Sequence, residues 1–304
     1  MITVLSGGVG AARLLDALRA VIDPSEIAAV VNVGDDLTMH GLTICPDLDT
    51  IMYTLAGRNN HELGWGLQGE SWRVMEELDA LGGEAWFRLG DRDLATHLYR
   101  SQRLGQGATK TQVTRELCDR LGVAVRLLPV TDDPVATCFD TELGRLSFQE
   151  YFVRHHHGVA VSAIDIVGAE AATATPEVVA ALHTASRIVL APSNPLISID
   201  PILRVPGVRD ILEERHDDVV AVSPIIDGHA LKGPADRLLA ELGHEVSCLG
   251  VVDFYKGLVG TWVIDDADTA RADDVRSRGV KVIVTTTIMA QPENAARLAE
   301  AVLS

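Results

Sequence analysis

A chain of 304 residues, 47% of them hydrophobic, has ample apolar material for one large domain or two small ones. Its formal net charge of −17 argues against nucleic-acid partners but leaves room for a local basic pocket that takes an anionic small molecule. The absence of any apolar run of about 18 residues excludes a membrane-spanning helix, and four scattered cysteines without a CxxC pair suit a reduced, cytoplasmic protein better than a zinc or disulfide framework.

In chain order, ITVLSG (2–7) reads as a first strand running directly into Gly7, Gly8 and Gly10 and then a helix over 11–22. A strand ending in GGxG before a helix lets backbone N–H groups approach an anion, and the helix end adds partial positive charge. The same glycines would also suit a tight turn that needs close packing. A full GxGxxG and a Walker lysine are both missing. The second strand, IAAVVNVG (27–34), ends at Asn32 and the Asp35–Asp36 pair, followed by Asp47 and Asp49 in PDLDT. In an open α/β sheet ligands sit beyond the carboxyl ends of the strands. Carboxylates next to a phosphate call for a divalent cation, and Mg²⁺ is commonly held by one or two of them plus phosphate oxygens. Helix capping is the competing role, with Asp49 a candidate cap.

Residues 45–122 break the strand–helix rhythm, hold three of the four tryptophans and read as a mostly helical insertion that caps the active site, with helices over 71–81 and 110–121. Within it, WFRLGDRDLATHLYRSQ (86–102) packs Arg88, Asp91, Arg92, Asp93 and His97 into ten residues, where arginines could hold a phosphate bidentately; a surface helix start, with Asp91 or Asp93 as caps and the arginines solvated, is the competing role. VRLLPV (125–130) is the next strand, and 137–165 reads as a hairpin turning at ELGR, with RLSFQEYFV as a strand. HHH (155–157) reads as a solvated loop, because adjacent histidines on extended backbone face opposite ways. A helix over 176–184 precedes RIVLAPS (187–193), and APSNP presents Ser193 and Asn194. Helix 206–215, strand VVAVSPI (219–225) and a loop with Lys232 and Gly233 lead to helix 234–242. VSCLGVV (246–252), TWVID (261–265) and VKVIVTT (280–286) read as strands, and 293–303 as a closing helix. The alternation argues for a single α/β domain over 1–304: a Rossmann-like, doubly wound, mostly parallel sheet with a helical cap.

LSGGVGAARLL, VVNVGDDLTMHGLTICPDLDTIMYTLAG, WFRLGDRDLATHLYRSQ, LLPVTDDPVAT, LAPSNPLISIDPIL and SPIIDGHALKGPADRLL occur in this order. Together they closely resemble the 2-phospho-lactate transferases of coenzyme F420 biosynthesis, the CofD/FbiA family. The resemblance implies a Mg²⁺-dependent, commonly dimeric enzyme. The terminal ribityl hydroxyl of the deazaflavin Fo attacks a guanosine diphosphate ester carrying lactate, enolpyruvate or glycerate. The products are F420-0 or an analogue, and GMP. On that reading Gly7, Gly8 and Gly10 cradle the diphosphate, with Asn32 nearby. Asp36 and Asp49 hold the metal, Asp36 outranking Asp35 as the better match to the family, and Asp49 also meets the hydroxyl. Arg88, Asp91 and Arg92 engage Fo or the transferred phosphate, and Ser193, Asn194 and Lys232 address the guanosine side. A CofD-like regulator that binds nucleotide sugars without transfer is the alternative; PDLDT and GDRDLATH argue against it. A dinucleotide-dependent oxidoreductase fits less well, given the imperfect glycine fingerprint.

Overall fold

The computed structural model describes residues 1–304. Seven strands form one parallel sheet: β1 (Ile2–Ser6), β2 (Ile27–Val31), β3 (Arg126–Pro129), β4 (Arg187–Leu190), β5 (Val219–Val222), β6 (Thr261–Ile264) and β7 (Lys281–Val284). Their spatial order is β7-β6-β5-β4-β1-β2-β3. β1 and β2 are buried at every residue because both sheet faces are covered, which is why they read as unbroken apolar runs. Alternate side chains still part company. Ile2, Val4, Ala29 and Val31 enter one apolar layer, while Leu5, Ala28 and Val30 enter the other.

The first layer is closed by α1 (Gly8–Val21) and α2 (Pro46–Leu55). Leu14, Leu15 and Leu18 of α1 are fully buried, each stabilising the fold by about 2 kcal/mol. After α3 (Arg73–Ala80) and α4 (Asp93–Gly105), α5 (Lys110–Leu121) rejoins this layer. Residues 45–122 thus hold four helices, of which α2 and α5 belong to the sheet packing. α3, the segment 81–92 and a hairpin at 37–44 form a small separate core of Met39, Ile44, Met75 and Leu89. The opposite layer is built by α6 (Pro176–Thr184), α7 (Val208–Glu214), α8 (Ala235–Glu241) and α9 (Cys248–Phe254). α10 (Pro292–Leu303) returns to pack on α1.

Two expected strands differ. VSCLGVV is the start of α9, because Ser247 Oγ accepts from the N–H groups of Leu249 and Gly250 and caps a helix there. An apolar run buried all round carries no period that separates strand from helix. RLSFQEYFV is a strand only to Ser147; Glu150 then accepts from the Ser147 N–H and hydroxyl, and 150–154 coils into a helical turn. The hairpin gains a third antiparallel strand at Val161–Val167.

Candidate active site

The strand order reverses between β1 and β4, so the loops leaving these two strands part to opposite faces and open a crevice. A cavity of about 800 Å³ fills it. The loops after β1, β2, β4, β5 and β7 supply Gly7–Gly10, Asp35, Pro192–Asn194, Ser223–Pro224 and Thr287–Met289 to its wall. The inserted segment supplies Trp65, Trp86, Phe87 and Arg88 from above.

The glycine bend combines both roles considered from sequence. A Cβ on Gly10 would stand 2.4 Å from the Pro192 carbonyl oxygen, and one on Gly7 2.6 Å from Ser198 Cβ, so both are glycine for packing. Gly8 adopts φ +68°, the left-handed region that favours glycine. Gly7 caps α1 with no side-chain bond, and no acidic residue lies in the first turn. The positive end of a fourteen-residue helix therefore faces the cavity, with the Asp47 carboxylate reaching the Gly8 amide. Ser193 Oγ donates to Gly7 O at 2.7 Å and ties the β4 loop to the bend. Asn194 Oδ1 accepts from Leu196 N, while its buried Nδ2 has no partner.

Asp47 lies against this bend. Asn32 Nδ2 donates to its Oδ2 at 3.0 Å, and Gly34 N donates to Asn32 Oδ1, so Asn32 orients Asp47 from behind the wall. Asp35 stands beside Asp47, fully buried, with Oδ1 lacking any hydrogen-bond partner. Burial, and then the charge of Asp47, push the Asp35 carboxyl well up. Burial likewise pushes Asp47 up to about 7. Two buried carboxylates that resist ionising together, one with an orphaned oxygen, fit a hard divalent cation such as Mg²⁺.

Asp36 does not join them. Its side chain does not line the cavity and accepts from Lys110 Nζ, while its other oxygen, like Asp35 Oδ1, is buried without a partner; of the Asp35–Asp36 pair the structure puts Asp35, not the expected Asp36, on the cavity wall. Asp49 does face the cavity, but both its oxygens are engaged by the buried Arg100 guanidinium, which already balances its charge. Asp91 is also structural: it accepts from Ser71 Oγ and from Val74 N in the first turn of α3. Arg92 is turned outward, donating to Gln68 O. Neither lines the cavity, whereas Arg88, lying over the Trp72 ring at 4.6 Å, does. Arg88, Arg13 and Lys232 are the exposed cations of the rim. His156 and His157 lie in a turn, as a loop reading expects, with His156 exposed, and they also line the cavity, with φ +48° and +42°.

Sequence alone does not single out Tyr53 or Arg100, and offers Asp93 only a capping role. Tyr53, Asp93 and His97 line the cavity, with Arg100 behind them. The i, i+4 spacing of Asp93 and His97, with Arg100 three residues on, puts all three on one face of α4.

A family model described as 2-phospho-L-lactate transferase CofD matches residues 2–297. The phosphoenolpyruvate transferase of Streptomyces griseus is 42% identical over 308 residues, covering 99% of this chain and 97% of that one. The phosphoenolpyruvate transferase of Mycolicibacterium smegmatis is 43% identical over 316 residues, with the same coverage of 99% and 97%. A crystal structure of a UPF0052 family member from Bacillus halodurans has a TM-score of 0.65 at 18% identity, covering 100% of this chain and 98% of its own. At that identity the likeness bears on the fold alone.

Proposed function

Because this chain belongs to the 2-phospho-L-lactate transferase CofD family, a family of transferases in coenzyme F420 biosynthesis, we propose that it moves a phosphoenolpyruvyl group from a guanosine diphosphate ester to Fo, 7,8-didemethyl-8-hydroxy-5-deazariboflavin. The choice of enolpyruvate over lactate or glycerate rests on the names of the relatives. The observation that carries the reading is the Asp35–Asp47 carboxylate pair beside the open start of α1, in a cavity wide enough for two heterocyclic substrates.

Phosphoryl-centre transfer needs positioning and charge neutralisation more than a covalent enzyme intermediate. The glycine bend and the positive end of α1 receive the diphosphate, and Arg13, Arg88 and Lys232 balance its remaining charge. Asp35 and Asp47 would hold Mg²⁺, which when bound neutralises phosphate oxygens and sharpens the electrophilicity of phosphorus. Trp65, Trp86 and Phe87 offer flat apolar surface to the deazaflavin ring. Asp49, kept in place by Arg100, orients the attacking hydroxyl. A new bond joins the ribityl oxygen to the phosphorus bearing enolpyruvate, the hydroxyl proton is released to water, the anhydride bond breaks, and GMP departs. The homodimer implied by the family belongs to the same proposal and is checked by light scattering.

Mass spectrometry of the product from Fo and each of the three donors tests the reading. Dehydro-F420-0 and GMP, formed fastest from the enolpyruvyl donor, are expected. Binding of nucleotide sugars with no product from any donor would overturn it in favour of a regulator.

A further inference from the structure

One buried cluster lining the cavity has a polarity that matches neither a cation nor a phosphate. Asp49, Asp93 and His97 each present a polar atom to a common space, all within 4.8 Å of one another, and all three are buried. Such a trio resembles a metal site until the imidazole is inspected. Arg100 Nη1 stands 3.3 Å from His97 Nδ1. A guanidinium nitrogen only donates, so Nδ1 carries the lone pair and the ring proton lies on Nε2. His97 Nε2 is 3.3 Å from Asp93 Oδ2 but is not aligned with it, and it is a buried nitrogen without a hydrogen-bond partner. His97 itself is 1% exposed.

The cluster therefore offers a donor, His97 Nε2–H, beside the acceptor Asp93, whose other oxygen accepts from Tyr53 Oη at 2.6 Å. A divalent cation would satisfy the carboxylates, but it would need a lone pair where the imidazole presents a proton. The nearby Arg100 charge also opposes it. A phosphate would satisfy the N–H but face two carboxylates. A hydroxyl does both jobs at once: its oxygen accepts from the imidazole, and its proton goes to the carboxylate. We infer that Asp93 and His97 form a hydroxyl-binding subsite for the polyol tail of the acceptor, with Tyr53 holding Asp93 and Arg100 fixing the imidazole. This deepens the reading of Fo as acceptor and rests on it.

The test is fluorescence titration of the full-length protein with Fo, and with the same deazaflavin chromophore bearing a methyl group in place of the ribityl tail. Asp93→Asn and His97→Gln are compared with the wild type, with melting curves as a check on folding. Wild-type protein is expected to bind Fo at least tenfold tighter than the tail-less chromophore. Each variant should lose about tenfold in Fo affinity, keep its affinity for the tail-less chromophore, and keep both the KM for the donor and the half-saturating magnesium concentration. Variants that bind Fo like the wild type, that lose both ligands equally, or that shift the magnesium requirement instead would overturn the subsite. Should a variant not fold, equal wild-type affinity for the two chromophores would overturn it alone. Wild-type protein that ignores Fo altogether would sink the acceptor reading and this inference with it.

Discussion

Asp35 and Asp47 place two carboxyls in a dry wall where burial, and mutual repulsion at Asp35, disfavour their charge. Because their pKa values are raised in the folded state, the native protein binds more protons than the unfolded chain between the ordinary carboxylate value and about 7. Their contribution to stability is thus fully present below the unfolded value and is lost as pH rises through that window. Melting in chelator is expected to fall by roughly 3–8 °C between pH 5 and pH 8. Asp47→Asn should flatten that slope, and magnesium should recover the lost stability at pH 8 by binding the ionised pair. Calorimetry across the pH range checks all three. Asp49, two residues further along α2, differs in having both its oxygens engaged by the buried Arg100 guanidinium.

At the scale of elements, α3 begins with Trp72 as its cap residue and no side-chain cap of its own, and Asp91 supplies the missing acceptor from across the inserted segment. Asp91→Ala is expected to lower the urea-unfolding midpoint while leaving kcat and the KM for the donor within twofold. A loss of activity beyond that would return Asp91 to the substrate contacts. This residue shows where sequence legibility stops. The parallel sheet was readable because buried strands are short apolar runs and the helices between them carry a 3.6-residue period. The glycine bend and the acid-rich loop after β2 were readable because strand ends collect ligands. Sequence order could not say which acid of Asp35–Asp36 turns inward, since that depends on Lys110 waiting on α5 to take the other. It could not separate Arg88 from Arg92 either, because the difference is made by Gln68 and Trp72 folding back over them. At VSCLGVV a single serine hydroxyl outweighed a strand-like composition.

The whole molecule carries a net charge of −17, yet the cavity rim bears Arg13, Arg88 and Lys232. An anionic donor is repelled at long range and attracted only on arrival. Raising ionic strength from about 10 to 150 mM shortens the reach of the repulsion to roughly 8 Å, so kcat/KM is expected to rise two- to fivefold before higher salt weakens the local contacts. Steady-state kinetics over a salt series checks the sign. The position of β1 has a further consequence for biogenesis. Ile2 pairs with Ile27 on one side but must wait for Arg187 on the other. Gly10 rests on Pro192, and Gly7 is tied to Ser193. A growing polypeptide can therefore lay down one half of the sheet early, but that half keeps a raw apolar edge until β4 emerges. During that interval it has a glycine bend with nothing beneath it and a strand edge open to mispairing.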